Sequence, residues 1–165
     1  MSTAIDAIKA LRFVTAARAR VEFAPWGKHW WLSGPGLTDT RHLTLVRVRV
    51  RPGAGHQFHY HPEREEIIYV LDGVAEQWVD RERRRLKAGE SAFIPKNVVH
   101  AIHNPSTSPM TFLAILSPAV AKGPFLIDCY NDEPWRSLRE PFSYKEVDPA
   151  TGRAKKASSR PIRRR

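Results

Sequence analysis

Residues 53–73 read GAGHQFHYHPEREEIIYVLDG. His59 and His61 are one residue apart, so a β-strand would place both imidazoles on the same face, because strand side chains alternate. Glu66 follows five residues after His61, and His100 comes after a further strand-turn-strand pattern. Imidazole and carboxylate together suit the divalent metals iron, manganese, nickel, copper and zinc. The sequence therefore predicts a single metal centre built on strands.

Short apolar runs separated by turn residues extend from this stretch in both directions. Thirteen prolines and nine glycines punctuate the chain, which is typical of an all-β domain. Asp72-Gly73 is a strong hairpin signal. The pattern predicts one short helix near residues 134–139. It predicts strands over residues 43–51, 56–61, 66–71, 74–79, 83–86, 91–94, 99–103 and 110–117.

Length and composition indicate one domain of 165 residues that can bury a core. Residues 1–21 lack the continuous apolar stretch of a secretory signal, and no apolar run approaches the roughly 20 residues of a membrane helix. The single cysteine, Cys129, excludes an internal disulfide and fits a reducing compartment. We therefore expect a cytoplasmic protein without a membrane partner.

The net charge of +10 is concentrated at one end of the chain. Residues 153–165 carry seven cations and no acid, so the rest of the chain is close to neutral. Such a segment cannot bury enough apolar surface to fold alone, and we expect a disordered basic tail over residues 151–165. Attraction of nucleic acid to this tail is the weaker alternative, and we do not expect it to be the function.

Two spacings identify a resemblance to a known family. Residues 53–73 give G-x5-H-x-H-x4-E-x6-G, and residues 89–104 give G-x5-P-x-N-x2-H-x3-N. These blocks resemble the two motifs of the cupins, with the short inter-motif segment of bacterial members. The second motif usually has glycine where this chain has Asn97. Asparagine tolerates a left-handed backbone better than other side chains, so the fold expectation stands.

The resemblance implies an all-β fold, a cupin-type double-stranded β-helix or jelly-roll barrel. We expect residues 1–40 to form an N-terminal arm and strands that pack on the barrel, and residues 41–118 to form the barrel itself. A short helical or irregular C-terminal segment, residues 119–150, is expected to cover the barrel.

The positions that bind metal in the family are all present in this chain: His59, His61, Glu66 and His100. Glu65 is the rival acid, but the spacing to Gly73 and the alternation with Ile68 favour Glu66. We expect one divalent ion per chain, chosen from Fe, Mn, Ni, Cu, Co and Zn. Each ligand histidine should donate its other ring N–H to an acceptor that the sequence does not identify.

Further residues are candidates for the pocket or for the shell behind the ligands. Gln57 shares strand parity with His59 and is predicted to point inward. Three clustered indoles need an apolar environment, either in the core or dimer interface or, alternatively, as a wall that stacks on substrate: Trp26, Trp30 and Trp31. The other candidates are His56, His103, Trp78, Phe93 and Phe112.

The fold does not fix the function, and three hypotheses remain. The favoured one is a metal-dependent oxidoreductase of the dioxygenase type that acts on a small molecule, with Glu66 as ligand and candidate base. The alternative is a sugar or keto-acid isomerase, epimerase or lyase, which needs a separate base from His56, Glu76 or His103. The third is a non-catalytic protein that binds metal or a metabolite. We also expect a homodimer, formed through residues 43–51 and the tryptophans.

Overall fold

Two antiparallel β-sheets make up most of the molecule. The structure is a computed structural model that describes residues 11–143 and 150–151. The predictions for the first ten residues and for residues 152–165, nearly all of the basic tail, lie outside the described residues. The elements are β1 (Arg20–Ala24), β2 (Gly27–Ser33), β3 (Thr44–Val50), β4 (Gly55–Tyr60), β5 (Glu65–Asp72), β6 (Val74–Val79), β7 (Glu82–Lys87), β8 (Ser91–Ile94), β9 (His100–His103), β10 (Met110–Ser117), β11 (Ile127–Asp128) and α1 (Trp135–Leu138).

The chain alternates between the two sheets as it winds around the core. One sheet has the strand order β1-β2-β3-β10-β5-β8, and the other has the order β11-β4-β9-β6-β7. Strands distant in sequence, such as β3 and β10 or β4 and β9, are direct antiparallel neighbours. This is the jelly-roll arrangement that the cupin motifs imply, so the fold prediction is confirmed.

Alternating side chains explain why the strands form where they do. In β3, Val46, Val48 and Val50 are at most 3% exposed, whereas Arg47 and Arg49 lie on the opposite face. The buried face joins an apolar cluster with residues of both sheets. All eight strands predicted from the sequence are present, each within one residue of its predicted bounds.

Three strands and one turn complete the architecture. β1 and β2 extend the six-stranded sheet beyond β3, and β11 pairs with β4 in the other sheet. Asn97 has the positive φ of 64° expected at its turn, and its N–H donates to the carbonyl of His61 at 3.0 Å. That bond ties the second motif to the end of the first. Among the described residues, no helix has the length and apolarity needed to span a membrane.

Candidate metal centre

Four predicted ligands meet at one point between the sheets. His59 on β4 lies directly across from His100 on β9, His61 follows the end of β4, and Glu66 comes from β5 in the other sheet. One ligand atom from each residue lies within 4.8 Å of the other three. Their residues are 2–6% exposed. The spacing in the sequence therefore does bring three imidazoles and one carboxylate together.

Backbone carbonyls fix the orientation of all three imidazoles. The Nδ1 atoms of His59, His61 and His100 lie 2.7, 2.6 and 3.0 Å from the carbonyl oxygens of residues 57, 125 and 98. Since a carbonyl oxygen only accepts, each Nδ1 carries a hydrogen and donates it. In the neutral ring, each Nε2 then presents a lone pair. These are the acceptors that the sequence left unidentified.

Glu66 brings the negative charge of the site. Its Oε2 lies 2.8 Å from Nε2 of His100 and 3.4 Å from Nε2 of His61. Burial alone would raise the pKa of Glu66, but hydrogen bonds from the rings of His100 and His61, together with the positive charge that these rings carry when protonated, outweigh burial and lower its pKa to about 2. With a proton on one of these rings, or with a cation in the place of that proton, Glu66 is a carboxylate at physiological pH. A pKa this low suits a metal ligand better than a proton acceptor.

The donor set fits a divalent cation. Although they are close, Oε2 of Glu66 and Nε2 of His100 are buried polar atoms without a well-directed hydrogen bond to any described residue. A lone pair that faces a carboxylate is repelled unless a proton or a cation lies between them. Three neutral donors and one carboxylate leave a doubly charged ion with net charge +1. His59, His61, Glu66 and His100 would hold the ion, and an ion that takes six donors would have two left for water or a substrate, as in catalytic metal sites.

These ligands form part of the wall of a cavity of about 410 Å3. This volume lies within the range of small-molecule sites. The opposite walls are mostly apolar and come from β2, β3, β5 and β10. They include Trp31, Val46, Val48, Ile68, Phe112 and Ala114. An ion held by these ligands would therefore lie beside a cavity whose walls are mostly apolar.

The prediction that Gln57 points inward is wrong, because β4 is irregular. The register of β4 against β9 shifts between His56 and His59, which inserts one extra residue and reverses the alternation. His56 therefore lines the cavity and stacks on His59, with ring centroids 3.7 Å apart. The side chain of Gln57 instead binds the backbone of Phe142 in both directions, at 3.0 Å for each bond.

The remaining pocket candidates divide between the cavity and other places. Phe112 is 3% exposed and lines the cavity as expected. Trp78 packs on Phe58 in a separate apolar cluster, because its parity on β6 directs it to the other face of the sheet. His103 lies outside the cavity and contacts the ring of Phe142. Phe93 on the edge strand β8 is 56% exposed and is not part of the pocket.

Alternation within β2 separates the tryptophans. Trp26 and Trp31 line the cavity, whereas Trp30 lies on the outer face under the cations of Lys28 and Arg47. Trp26 belongs to the main buried cluster as well as to the cavity wall, so the expectation of core packing holds for it, whereas Trp31 is a half-buried part of the wall.

The sequence analysis missed several residues of the cavity. His29 shares a face with Trp31, which is the signal that could have found it. Glu22 and Phe125 also line the cavity. No motif marked these two positions, because they reach the cavity from β1 and from the segment before β11.

The comparison with known families now decides the classification. A family model for the cupin domain matches residues 46–116, the range that contains all four clustered ligands. Residues 46–116 are a cupin domain. The cupin domain holds strands of both sheets, and β1 and β2 extend one of them.

Individual relatives share the cupin region but not the whole of their length. Mannose-1-phosphate guanylyltransferase RfbM of Salmonella typhimurium is 33% identical over 96 residues, which cover 58% of this chain and 19% of that protein. This chain thus spans about a fifth of the length of the guanylyltransferases that it matches.

Solved structures show the same cupin architecture. An RmlC-like cupin from Shewanella frigidimarina superposes with a TM-score of 0.58 and 25% identity, covering 67% of this chain and 93% of that one. Oxalate decarboxylase from Lactobacillus farciminis gives a TM-score of 0.61 at 22% identity, covering 70% of this chain and 35% of that one. The second likeness is one of fold alone.

Proposed function

We propose that this cupin is a metal-dependent oxidoreductase of the dioxygenase type that acts on a small molecule. The observation that carries the proposal is the position of the four buried ligands in the wall of a mostly apolar cavity. A redox-active ion in this site would supply the exchange of electrons with dioxygen. The chain itself holds three imidazoles by their Nδ1–H groups, places the carboxylate of Glu66 beside them and lines the adjoining cavity mostly with apolar side chains.

The positions of the candidate bases support this proposal over an isomerase or a lyase. Such chemistry needs a general base with a pKa near neutrality. Burial, together with the charges of neighbouring histidines, lowers the pKa of His56 to about 3. Glu76 and His103 pair across β6 and β9 and do not line the cavity. The alternative requires one general base. None of its three candidates both lines the cavity and has a pKa near neutrality.

The cavity also speaks against a purely storage or sensor role. A non-catalytic site would need no ionisable groups beyond its ligands. Here the cavity also contains His29, His56 and Glu22. These groups offer polar contacts to a substrate that binds beside the metal ligands. Binding without turnover is one of the outcomes that the oxygen-uptake experiment below distinguishes.

Oxygen uptake tests the proposed reaction. We expect protein loaded with iron to consume dioxygen together with a bidentate substrate such as catechol or pentane-2,4-dione, measured with an oxygen electrode and product analysis. The His100→Ala variant should be slower by at least about 100-fold, because the loss of a metal ligand commonly removes most activity. The parent protein is also loaded with each of the six candidate ions in turn. If none of these preparations consumes dioxygen faster than the His100→Ala variant, the proposal is contradicted. Conversion under anaerobic conditions with zinc would favour the isomerase.

We propose that the chain pairs as a homodimer, although not through the surface expected from the sequence. The outer face near residues 43–51 carries Arg47 and Arg49. A contiguous apolar patch lies instead on β5 and β8, where Ile67 pairs with Phe93 and Tyr69 and Leu71 are also 38–42% exposed. An exposed apolar patch of this kind is typical of a protein interface.

Light scattering after size exclusion tests the dimer. We expect a mass about twice the 18.8 kDa of the chain and a shift to the monomer in the variant Tyr69→Glu with Phe93→Glu, because two buried charges oppose association. Ile127→Glu, a change at an exposed apolar residue of the other sheet, should leave the dimer intact. A monomeric parent protein, or a dimer that survives the double variant, would refute this interface.

A cytoplasmic location is part of the same proposal. Cys129 is buried and free, in keeping with a reducing compartment. Burial, followed by the charges of Asp132 and Asp128, raises the pKa of its thiol to about 11, so the cysteine is a poor nucleophile. We assign it no part in the reaction.

A further inference from the structure

No cationic side chain lines the cavity among the described residues. Its charged members are two acids, Glu66 at the metal centre and Glu22 on β1. Sites for phosphates and dicarboxylates commonly use arginine or lysine to balance the second negative charge. The described part of the cavity wall offers no such group.

Aromatic rings of the cavity wall contact two arginines that do not themselves line the cavity. The guanidinium carbon of Arg20 lies 4.7 Å from the ring centre of Trp31, and that of Arg64 lies 4.7 Å from the ring centre of Phe125. Both rings line the cavity, whereas neither arginine does. Arg64 is further held in place because its Nη1 donates to the carbonyl of Pro124 at 3.2 Å. The rings therefore keep both guanidinium groups from donating a hydrogen bond directly to a ligand in the cavity.

Glu22 places negative charge at the mouth. It is exposed and also lines the cavity, so it lies where the cavity meets solvent. The indole Nε1–H of Trp31 donates to Oε2 of Glu22 at 3.0 Å and holds the carboxylate there. A second negative charge on an incoming ligand would meet this carboxylate and gain no cation in return.

His29 supplies an uncharged polar contact on the wall. Burial lowers its pKa, so the ring is neutral at physiological pH. Its Nδ1 is buried and has no hydrogen-bond partner within the part of the chain that is described. A neutral ring of this kind can bond to a hydroxyl or carbonyl group of a ligand without demanding charge.

We propose that the cavity binds a small, ring-bearing and largely apolar molecule that chelates through a head of a single negative charge, and that it rejects dianions. This inference rests on the metal centre of the proposed function. A monoanion neutralises the net +1 charge of the ion and its four ligands, whereas a dianion would leave a buried negative charge without a partner. Glu22 acts as a specificity-determining residue, and the apolar walls select the ring.

Three probes separate the elements of the proposal. Benzohydroxamate has a monoanionic chelating head and a ring, acetohydroxamate has the same head without the ring, and oxalate is a dianion of similar reach. Their dissociation constants are measured by calorimetry on zinc-loaded protein. We expect benzohydroxamate to bind at least about tenfold more tightly than acetohydroxamate, since the apolar walls bury its ring. It should bind at least about tenfold more tightly than oxalate.

Two substitutions test the two selecting features. Ala114→Leu adds bulk to the cavity wall and should remove the advantage of the ring, with binding of acetohydroxamate unchanged. Thr111→Leu on the outer face of the same strand is the matched control and should change neither. Glu22→Gln should tighten oxalate by about threefold, as expected for one partly screened charge, and Glu82→Gln on the distant hairpin should not.

The outcomes distinguish this inference from the proposed function. Atomic emission measures the zinc content of the protein. If one zinc is bound per chain and oxalate has a dissociation constant equal to or lower than that of benzohydroxamate, the inference is overturned and the metal centre stands. Absence of bound zinc would overturn the metal centre. In that case 2-naphthol still tests the apolar cavity by quenching the fluorescence of Trp26 and Trp31. Quenching that Ala114→Leu weakens and Thr111→Leu does not would support the apolar cavity, and equal quenching in both would overturn it.

Discussion

Replacing His59 or His100 with alanine is expected to reduce bound metal from about one ion per chain to almost none. The two rings face each other across β4 and β9, with centroids 4.2 Å apart, and each is oriented by its own carbonyl acceptor. Loss of one ligand leaves three donors and an enlarged space beside Glu66. Affinity should fall by at least about 100-fold, more than the change expected from a residue behind the ligands. Elemental analysis of the purified variants gives the occupancy.

The fold should survive these substitutions, because the core does not depend on the ion. The main apolar cluster contains residues of both sheets and none of the four ligands. The matched control is His103→Ala, a histidine on the same strand as His100 that is equally buried but lies outside the cavity. It should keep its metal. Full occupancy in either ligand variant, with circular dichroism showing a folded chain, would remove that residue from the ligand set.

Strand positions were predictable because burial imposes a period of two on the side chains. The alternation in residues 43–51 and the hairpin signal at Asp72-Gly73 require no knowledge of distant contacts. The spacing of His59, His61 and Glu66 is local in the same sense, since a single strand and a short loop bring them together. Sequence therefore sufficed for the scaffold and for the cluster of candidate ligands.

Features that depend on the partner strand were not predictable. The register shift in β4 is a property of its pairing with β9. Because of this shift, His56 faces the cavity and Gln57 does not. The carbonyl oxygen that accepts the hydrogen bond from Nδ1–H of His61 belongs to residue 125, which is 64 positions away in the sequence. The wall formed by Trp31 and Glu22 depends on how β1 and β2 add to the sheet. Such long-range choices leave little local signal in one sequence.

Acid is expected to destabilise the metal-free protein, and His103 should account for a measurable share. Its side chain is 2% exposed, and neither ring nitrogen has a hydrogen bond to any of the described residues. Burial, reinforced by the cation of Arg139, lowers its pKa from 6.5 to about 3. The charged groups on neighbouring elements are Arg139 and Glu76, the latter directly across on β6 and bound to Arg139 at 3.0 Å.

The direction of the effect follows from proton binding in the two states. Between pH 6.5 and about 3 the unfolded chain carries a proton on residue 103 that the folded chain does not, so the free energy of unfolding falls as the pH falls. Each pH unit below 6.5 costs about 1.4 kcal/mol for one such histidine. From pH 7 to pH 5 the loss due to His103 is about 2 kcal/mol. Glu66 adds to the loss only below its ordinary pKa of 4.5, as the pH approaches its folded value of about 2.

Urea unfolding of protein treated with a chelator, at pH 7, 6 and 5, measures this dependence. His103→Leu removes the titrating group from both states and should reduce the fall in unfolding free energy between pH 7 and 5 by about 2 kcal/mol. His42→Leu removes an exposed histidine and should leave the dependence unchanged. If the His103→Leu variant keeps the full pH dependence, then His103 takes up its proton over the same pH range in the folded and the unfolded protein, and the assignment of the effect to His103 is wrong.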